Sequence, residues 1–346
     1  MTDIHIRIED HAGCITLSRP KALNALTYEM CLAIDQALVT WRSDPDVALI
    51  IIDAEGDKAF CAGGDIADLY ATGLAGDYAY GQKFWADEYR LNYRLKTYDK
   101  PVISFMQGFT MGGGVGVGCH GSHRIVGETS KIAMPEVGIG LVPDVGGSYI
   151  LAHAPGTVGL FLGTTAYRMD AADAVFAGFA DMFIPQSAWA TLIQELCETG
   201  DISCIAPFKE ELWPSTLAMM QDEIDALFNI NNLAELADKA TLKETKPHTF
   251  VTKSLAANSP LAMASALTMI RTQQANDTPF AQALAMEYRF THRAMEHGDF
   301  LEGIRAAIID KDKSPNWRQT PNTVSETIIE MMLAPLGNDE LSLEED

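Results

Sequence analysis

Positive charge is what this chain has least of. It carries 25 lysines and arginines against 47 aspartates and glutamates, a formal net charge of −22. A nucleic-acid surface needs a basic patch, and no strong Lys/Arg cluster is visible, so a nucleic-acid partner is not expected. Cysteines are few and scattered, at Cys14, Cys31, Cys61, Cys119, Cys197 and Cys204, with no CxxC pair. They read as reduced, mostly buried thiols of an intracellular protein rather than a disulfide framework. The N-terminus, MTDIHIRIED, is charged from Asp3 and has no apolar core, so no secretory signal is read there. With no transit peptide either, the expected location is a bacterial cytoplasm. One long stretch without Asp, Glu, Lys or Arg runs from Pro101 to Ser122 and holds seven glycines. That glycine content argues against a membrane span; the stretch reads as a buried strand, a glycine turn and the start of a buried helix.

Several chemical signatures are missing too. Started at Gly112 or Gly114, GxGxxG fails at its last position (Val117, Cys119). The bare spacing does occur at Gly116, Gly118 and Gly121, a weak signal by itself, and there is no GxxxxGK[ST] loop, so dinucleotide and P-loop chemistry are not the expectation. No GxSxG elbow is present, which disfavours a serine-hydrolase triad. His120 and His123 form an HxxH without a third ligand at usable spacing, so no metal is expected.

What is present is an ordinary globular composition, 47% hydrophobic and 21% charged over 346 residues. That length allows a core of about 200 residues and something smaller beside it. Ile4, Ile6 and Ile8 alternate, and residues 13–17 form a second β-rich run, which reads as a hairpin. Met30 to Trp41 and Phe84 to Tyr98 have helical spacing, while Val47 to Ile52 and Val102 to Met106 read as buried strands. Strands thus alternate with helices, and residues 1–185 are expected to form an α/β core. Beyond Pro185 strand signals vanish. Helical patterns occupy 187–198, 215–228, 232–243, 259–274, 278–296 and 299–310, with breakers at Gly200, Pro207, Pro214, Pro247 and Pro260. Residues 186–337 are therefore expected to form a helical C-terminal region, and 338–346 a short, solvated and mobile acidic tail.

Two glycine clusters carry the chemistry. Gly63-Gly64 follows a buried strand and precedes a helix-like segment; Gly112 to Gly114 follows another strand. Glycines let backbone N–H groups approach a ligand with no side chain in the way. Two separate N–H donors are what an oxyanion hole requires. Glu136 stands in the apolar sequence Ile132 to Ile139, where burial can bring a carboxyl into a useful pKa range. Asp144 has a similar setting between Pro143 and Gly146-Gly147, although it also suits an N-cap on a helix starting near Gly147. Donors and a carboxylate pair point to a carbonyl that develops negative charge on oxygen.

LSRPKALNAL (17–26), KAFCAGGDI (58–66), GFTMGGGVG (108–116) and MPEVGIGLVPDVGGSY (134–149) resemble the crotonase, or enoyl-CoA hydratase/isomerase, superfamily. The resemblance covers most of residues 1–185. It implies a spiral of ββα turns, an acyl-CoA thioester substrate, no cofactor beyond the CoA that substrate carries, and an oxyanion hole from the N–H groups of Gly64 and Gly113. It implies that CoA lies along Lys21, Ala22 and Leu23 and along Ala62, Gly63, Asp65 and Ile66, with Gly112 also among the substrate-binding residues and Lys21 offsetting a phosphate. Hydratases of the superfamily carry a catalytic glutamate where this chain has Gly116. The remaining family acid matches Glu136. Asp144, and Glu88 in the segment Glu88-Tyr89-Arg90-Leu91-Asn92, match the branch that hydrolyses short-chain 3-hydroxyacyl-CoA thioesters, with Glu88 as a substrate contact. Two rival readings stay open: double-bond isomerisation with Glu136 as proton shuttle, and acyl-CoA binding without turnover. Superfamily relatives are often trimers or hexamers, so a homo-oligomer is one expectation.

Overall fold

The structure is a computed structural model that describes residues 3–343. The chain runs β1 (Ile4–Glu9), β2 (Ala12–Leu17), α1 (Tyr28–Arg42), β3 (Leu49–Ala54), β4 (Ala59–Cys61), α2 (Ala67–Leu74), α3 (Tyr78–Lys96), β5 (Val102–Met106), β6 (Phe109–Met111), α4 (Gly113–Gly118), β7 (His123–Val126) and β8 (Lys131–Ala133). It continues through α5 (Gly147–Ala152), α6 (Val158–Thr165), α7 (Ala171–Phe176), β9 (Met182–Phe183), α8 (Gln186–Thr199), α9 (Thr216–Phe228), α10 (Leu233–Ala240) and α11 (Lys246–Ala257). The last helices are α12 (Pro260–Asn276), α13 (Phe280–His297), α14 (Phe300–Ile304) and α15 (Glu326–Leu333). This is a mixed α/β fold followed by a helical C-terminal region.

Two compact units divide the chain. The first takes residues 1–65, 87–133 and 168–216. Its larger sheet has the order β1-β2-β3-β5-β7-β9, antiparallel only between β1 and β2. The smaller, parallel sheet is β4-β6-β8. Repeated strand–strand–helix turns of this kind feed both sheets at once, which is why strands such as β4 and β6 are only three residues long. The first sheet packs Ile51, Ile103, Phe105 and Ile125 against Trp189, Leu192 and Leu196 of α8. The boundary expected at residue 185 therefore falls inside this unit. Its helical amphipathicity marks α8 correctly, but the apolar face belongs to the sheet and not to the later helices.

The second unit takes residues 66–86, 134–167 and 217–346. Its centre is α12, whose Leu261 to Leu267 are all buried. A helix buried on every side shows little amphipathic contrast, and α12 packs on α5 and α6.

Other expectations need correction. The uncharged stretch 101–122 holds two strands, not one, because β6 interposes before the glycine turn. Pro247 does not break a helix; it lies in the first turn of α11, where a missing N–H costs nothing. In the acidic tail, Gly337–Asp339 forms a 3-10 turn and Glu340 pairs with Arg289 of α13 at 2.6 Å. Residues 344–346 lie outside the described residues. All six cysteines are free thiols, five of them buried. No helix among the described residues is long and apolar enough to cross a membrane.

Candidate active site

The first unit assembles the glycine clusters from its smaller sheet. β4 runs into Ala62-Gly63-Gly64-Asp65, and the segment is held by a single parallel bridge to Leu26. Leu26 N–H donates to the Gly63 carbonyl at 2.9 Å, and Asp65 N–H donates to the Leu26 carbonyl at 2.8 Å. A parallel bridge of this register uses the groups on either side of Gly64 and leaves Gly64 N–H out of the ladder. Among the described residues that N–H donates to no backbone carbonyl. Gly63 takes φ +118°, which a side chain would forbid.

The second cluster follows β6. Gly112, at φ +52° and ψ −122°, turns the chain into α4, so Gly113 N–H is a first-turn donor with no partner within the helix. A Cβ placed on Gly113 would stand 2.9 Å from Glu88 Oε1 and 3.3 Å from the Gly64 nitrogen. Gly64, Gly113 and the buried Glu88 of α3 therefore share one small volume. Cys61, at the end of β4, feels both its burial and the Glu88 charge; its thiol is pushed up to about 12, burial being the larger cause.

Lys21 and Ala22 lie exposed on a 3-10 turn, Pro20–Ala22, that ends in left-handed Leu23 and Asn24. Leu23 reaches the glycine segment through Ala62 N–H, 3.0 Å from its carbonyl. Asn24, which sequence reasoning missed, is fully buried. It donates to the carbonyls of Glu55 at 3.0 Å and Ala59 at 2.9 Å and accepts from Arg19 N–H at 2.8 Å. Asp65 is engaged by Arg19 at 3.0 Å. Ile66 opens the second unit as the residue before α2.

Glu136 and Asp144 both belong to the second unit. Glu136 starts a 3-10 turn, Glu136–Ile139, closed by Gly140 at φ +78°. It is 5% exposed and Asp144 is 4% exposed. The turn is pinned by Ser259 N–H, which donates to the Val137 carbonyl at 2.9 Å. Gly303 of α14 packs directly on it, since a Cβ there would stand 2.1 Å from the Ile139 carbonyl oxygen. The alternative role for Asp144, an N-cap, is not realised: Gly146 occupies the cap position of α5. Instead the backbone after Asp144 is left-handed at two consecutive residues, Val145 (φ +52°) and Gly146 (φ +77°).

A second residue that sequence reasoning missed lies beside Asp144. Glu287 of α13 is fully buried and accepts hydrogen bonds from Gly146 N–H at 2.8 Å, Ser148 N–H at 3.0 Å and the Ser148 hydroxyl. Gln273 of α12 donates in turn to Ser148 Oγ at 2.7 Å. Burial, reinforced by the neighbouring Asp144 charge, pushes the Glu287 carboxyl up to about 8 against the pull of its donors. The signal was in the helix pattern: Glu287 falls on the buried stripe with Phe280, Ala283, Leu284 and Phe290.

The enoyl-CoA hydratase/isomerase family model matches residues 12–333. Among curated proteins, the chain is 35% identical to the mitochondrial 3-hydroxyisobutyryl-CoA hydrolase of Gallus gallus over 99% of this chain and 91% of that one. It is 36% identical to the Xenopus tropicalis protein of the same name, over 96% and 89%. Both names carry a mitochondrial location, unlike the cytoplasm expected from the N-terminus. Among solved structures, an enoyl-CoA hydratase from Rhodobacter sphaeroides matches with a TM-score of 0.95 and 52% identity, covering 99% of this chain and all of that one. A carnitinyl-CoA dehydratase from Mycobacterium thermoresistibile has the same TM-score at 35% identity over the whole of both chains.

Proposed function

This chain belongs to the enoyl-CoA hydratase/isomerase family, and on that footing we propose that it is an acyl-CoA thioester hydrolase acting on a short 3-hydroxyacyl-CoA. The proposed substrate is 3-hydroxyisobutyryl-CoA, released as 3-hydroxyisobutyrate and CoA, a step of valine degradation. The names of the curated relatives support this reading.

The observation that carries it against hydration is Gly116. Hydration across a C=C bond takes two carboxylates sharing one water, and the hydratase position is glycine here. The helix that would bear the missing acid, Gly113–Gly118, is made of glycine and valine alone. Thioester hydrolysis has smaller needs: donors for the developing oxyanion, one carboxylate and a water.

In the proposed mechanism, the N–H groups of Gly64 and Gly113 polarise the thioester carbonyl. The Glu136 carboxylate then takes one of two courses. As nucleophile it forms a mixed anhydride and expels CoA thiolate, which picks up a proton; water then opens the anhydride and regenerates the carboxylate. As general base it takes a proton from water, whose oxygen adds to the carbonyl, and the proton passes to the departing sulfur. Asp144 orients the substrate hydroxyl or the incoming water, and Glu88 contacts the substrate. No cofactor is required beyond the CoA of the substrate itself.

The test is thiol release from a panel of acyl-CoA esters with and without a 3-hydroxyl, using wild type and Glu136→Gln. The variant is expected to lose about 10³-fold or more in kcat. Wild-type turnover by that variant, or a rate indifferent to the 3-hydroxyl, overturns the assignment. A second reading, hydration of an enoyl-CoA, has its footing in the 52%-identical structure named as a hydratase. That reading predicts loss of enoyl absorbance with no thiol freed.

A further inference from the structure

We infer that Glu287 is a positioning residue: it grips a strained backbone turn beside Asp144 and thereby fixes where the Asp144 carboxylate lies. The kinetic consequence rests on the hydrolase reading above; the structural consequence does not.

Three observations carry this. The first is the strain itself. Val145 is β-branched and adopts φ +52°, a region that costs such a residue dearly and persists only where the surroundings over-determine it. It directly follows Asp144, so relaxation of Val145 would swing the Asp144 side chain.

The second is the grip. Glu287 takes the N–H groups of Gly146 and Ser148, one on each carboxylate oxygen. These are the first and third amides after Val145, and the Ser148 hydroxyl adds a third donor. The two oxygens thus hold three groups of one short segment, and the grip is a matter of geometry: backbone on both sides of Gly147 is tied to a single side chain. The third is the backing. Gln273 fixes the Ser148 hydroxyl from α12, so two helices far along the chain converge on one turn. A buried carboxylate is costly, and a helix-stripe position such as 287 would otherwise hold an apolar residue. Its presence there matches a task that an apolar side chain cannot perform.

The experiment is a double-mutant cycle between Glu287→Gln and Asp144→Asn, read as thiol release from a 3-hydroxyacyl-CoA. Glu287→Gln keeps the shape but turns an NH₂ toward a backbone N–H. It is expected to lower kcat about tenfold or more with KM changed less than about threefold. On the Asp144→Asn background the same change is expected to cost less than about twofold, because Glu287 acts through Asp144. Adding Val145→Gly to Glu287→Gln should recover part of the rate, since glycine holds the left-handed conformation unaided. An equal loss in both backgrounds, or unchanged kcat in the single variant, overturns the inference.

Should Glu287→Gln fold poorly, Gln273→Ala removes only the Ser148 backing and should act in the same direction more weakly. Hydrogen exchange at the Gly146 and Ser148 amides is the arm independent of activity. It should accelerate in Glu287→Gln, and unchanged protection refutes the grip. If the wild type frees thiol from no acyl-CoA, the hydrolase reading fails, while the exchange result still decides the role of Glu287.

Discussion

Residues 108–118 and residues 134–148 are both glycine-rich and mostly buried, and they are held by opposite means. In the first, missing side chains let backbone meet backbone, and the neighbours are the adjacent strands of one small sheet. In the second, a turn with left-handed residues is held by side chains from α12 and α13, more than 100 residues further on. Positions in the first turn are therefore sensitive to added atoms. Those in the second are sensitive to removed ones.

Adjacent glycines give the sharpest test of that contrast. A Cβ on Gly114 would stand 2.2 Å from the Cys61 carbonyl oxygen, which the sheet holds rigidly. Gly114→Ala is expected to lose on the order of 4 kcal/mol or fail to fold, a loss of the size that overpacking against backbone produces. A Cβ on Gly113 meets chiefly the carboxylate end of Glu88, 2.9 Å away. Gly113→Ala should fold and melt near wild type, yet lose about 10²- to 10³-fold in thiol release as the donor is displaced or crowded. Thermal melts beside turnover on both variants decide this. Equal destabilisation would mean that Gly113 serves packing like its neighbour.

The second turn should show a pH dependence that follows from Glu287. Its carboxyl is raised from the ordinary 4.5 to about 8, so folding takes up a proton between those values. The stability it contributes is fully present below pH 4.5 and is lost as the pH rises through about 8. Between about pH 5 and about pH 8.5 the wild type should therefore lose on the order of a few kcal/mol more than Glu287→Gln. Denaturant melts of both proteins at several pH values measure the difference. Parallel pH profiles would remove Glu287 from the account of this turn.

The same contrast explains what was legible beforehand. The first turn could be read from the sequence because its cause is local: Gly112, Gly113 and Gly114 stand together after an apolar strand. Glu136 and Asp144 stood out because acids are rare in apolar sequence. Glu287 and Gln273 did not, because each is one polar residue on an otherwise ordinary helix, and nothing local says that its partner is residue 146 or 148. The unit boundary was missed for a related reason. The amphipathic face of α8 shows that it packs, but not that it packs on strands as distant along the chain as β2 and β3. A short helix such as α7, six residues long, gives too few turns for a period to show.

Lys21 gives the smallest expected effect and locates substrate binding in the comparison. Arg19 lies two residues before it but is committed to Asp65, to the Ala25 carbonyl at 2.6 Å and to Asp3 at 3.3 Å. No hydrogen bond or ion pair ties Lys21 to the described residues, and it is exposed at the tip of its turn. In a chain of net charge −22, an anionic ligand gains most from a local cation. Lys21→Ala should raise KM for acyl-CoA by about threefold at low salt, leave kcat unchanged, and lose most of its effect near 0.5 M salt, where screening is roughly complete. Because it touches binding and not the acids, its effect should add independently to that of Glu287→Gln. A kcat effect, or coupling between the two, would mean that the two turns are not the separate devices their construction indicates.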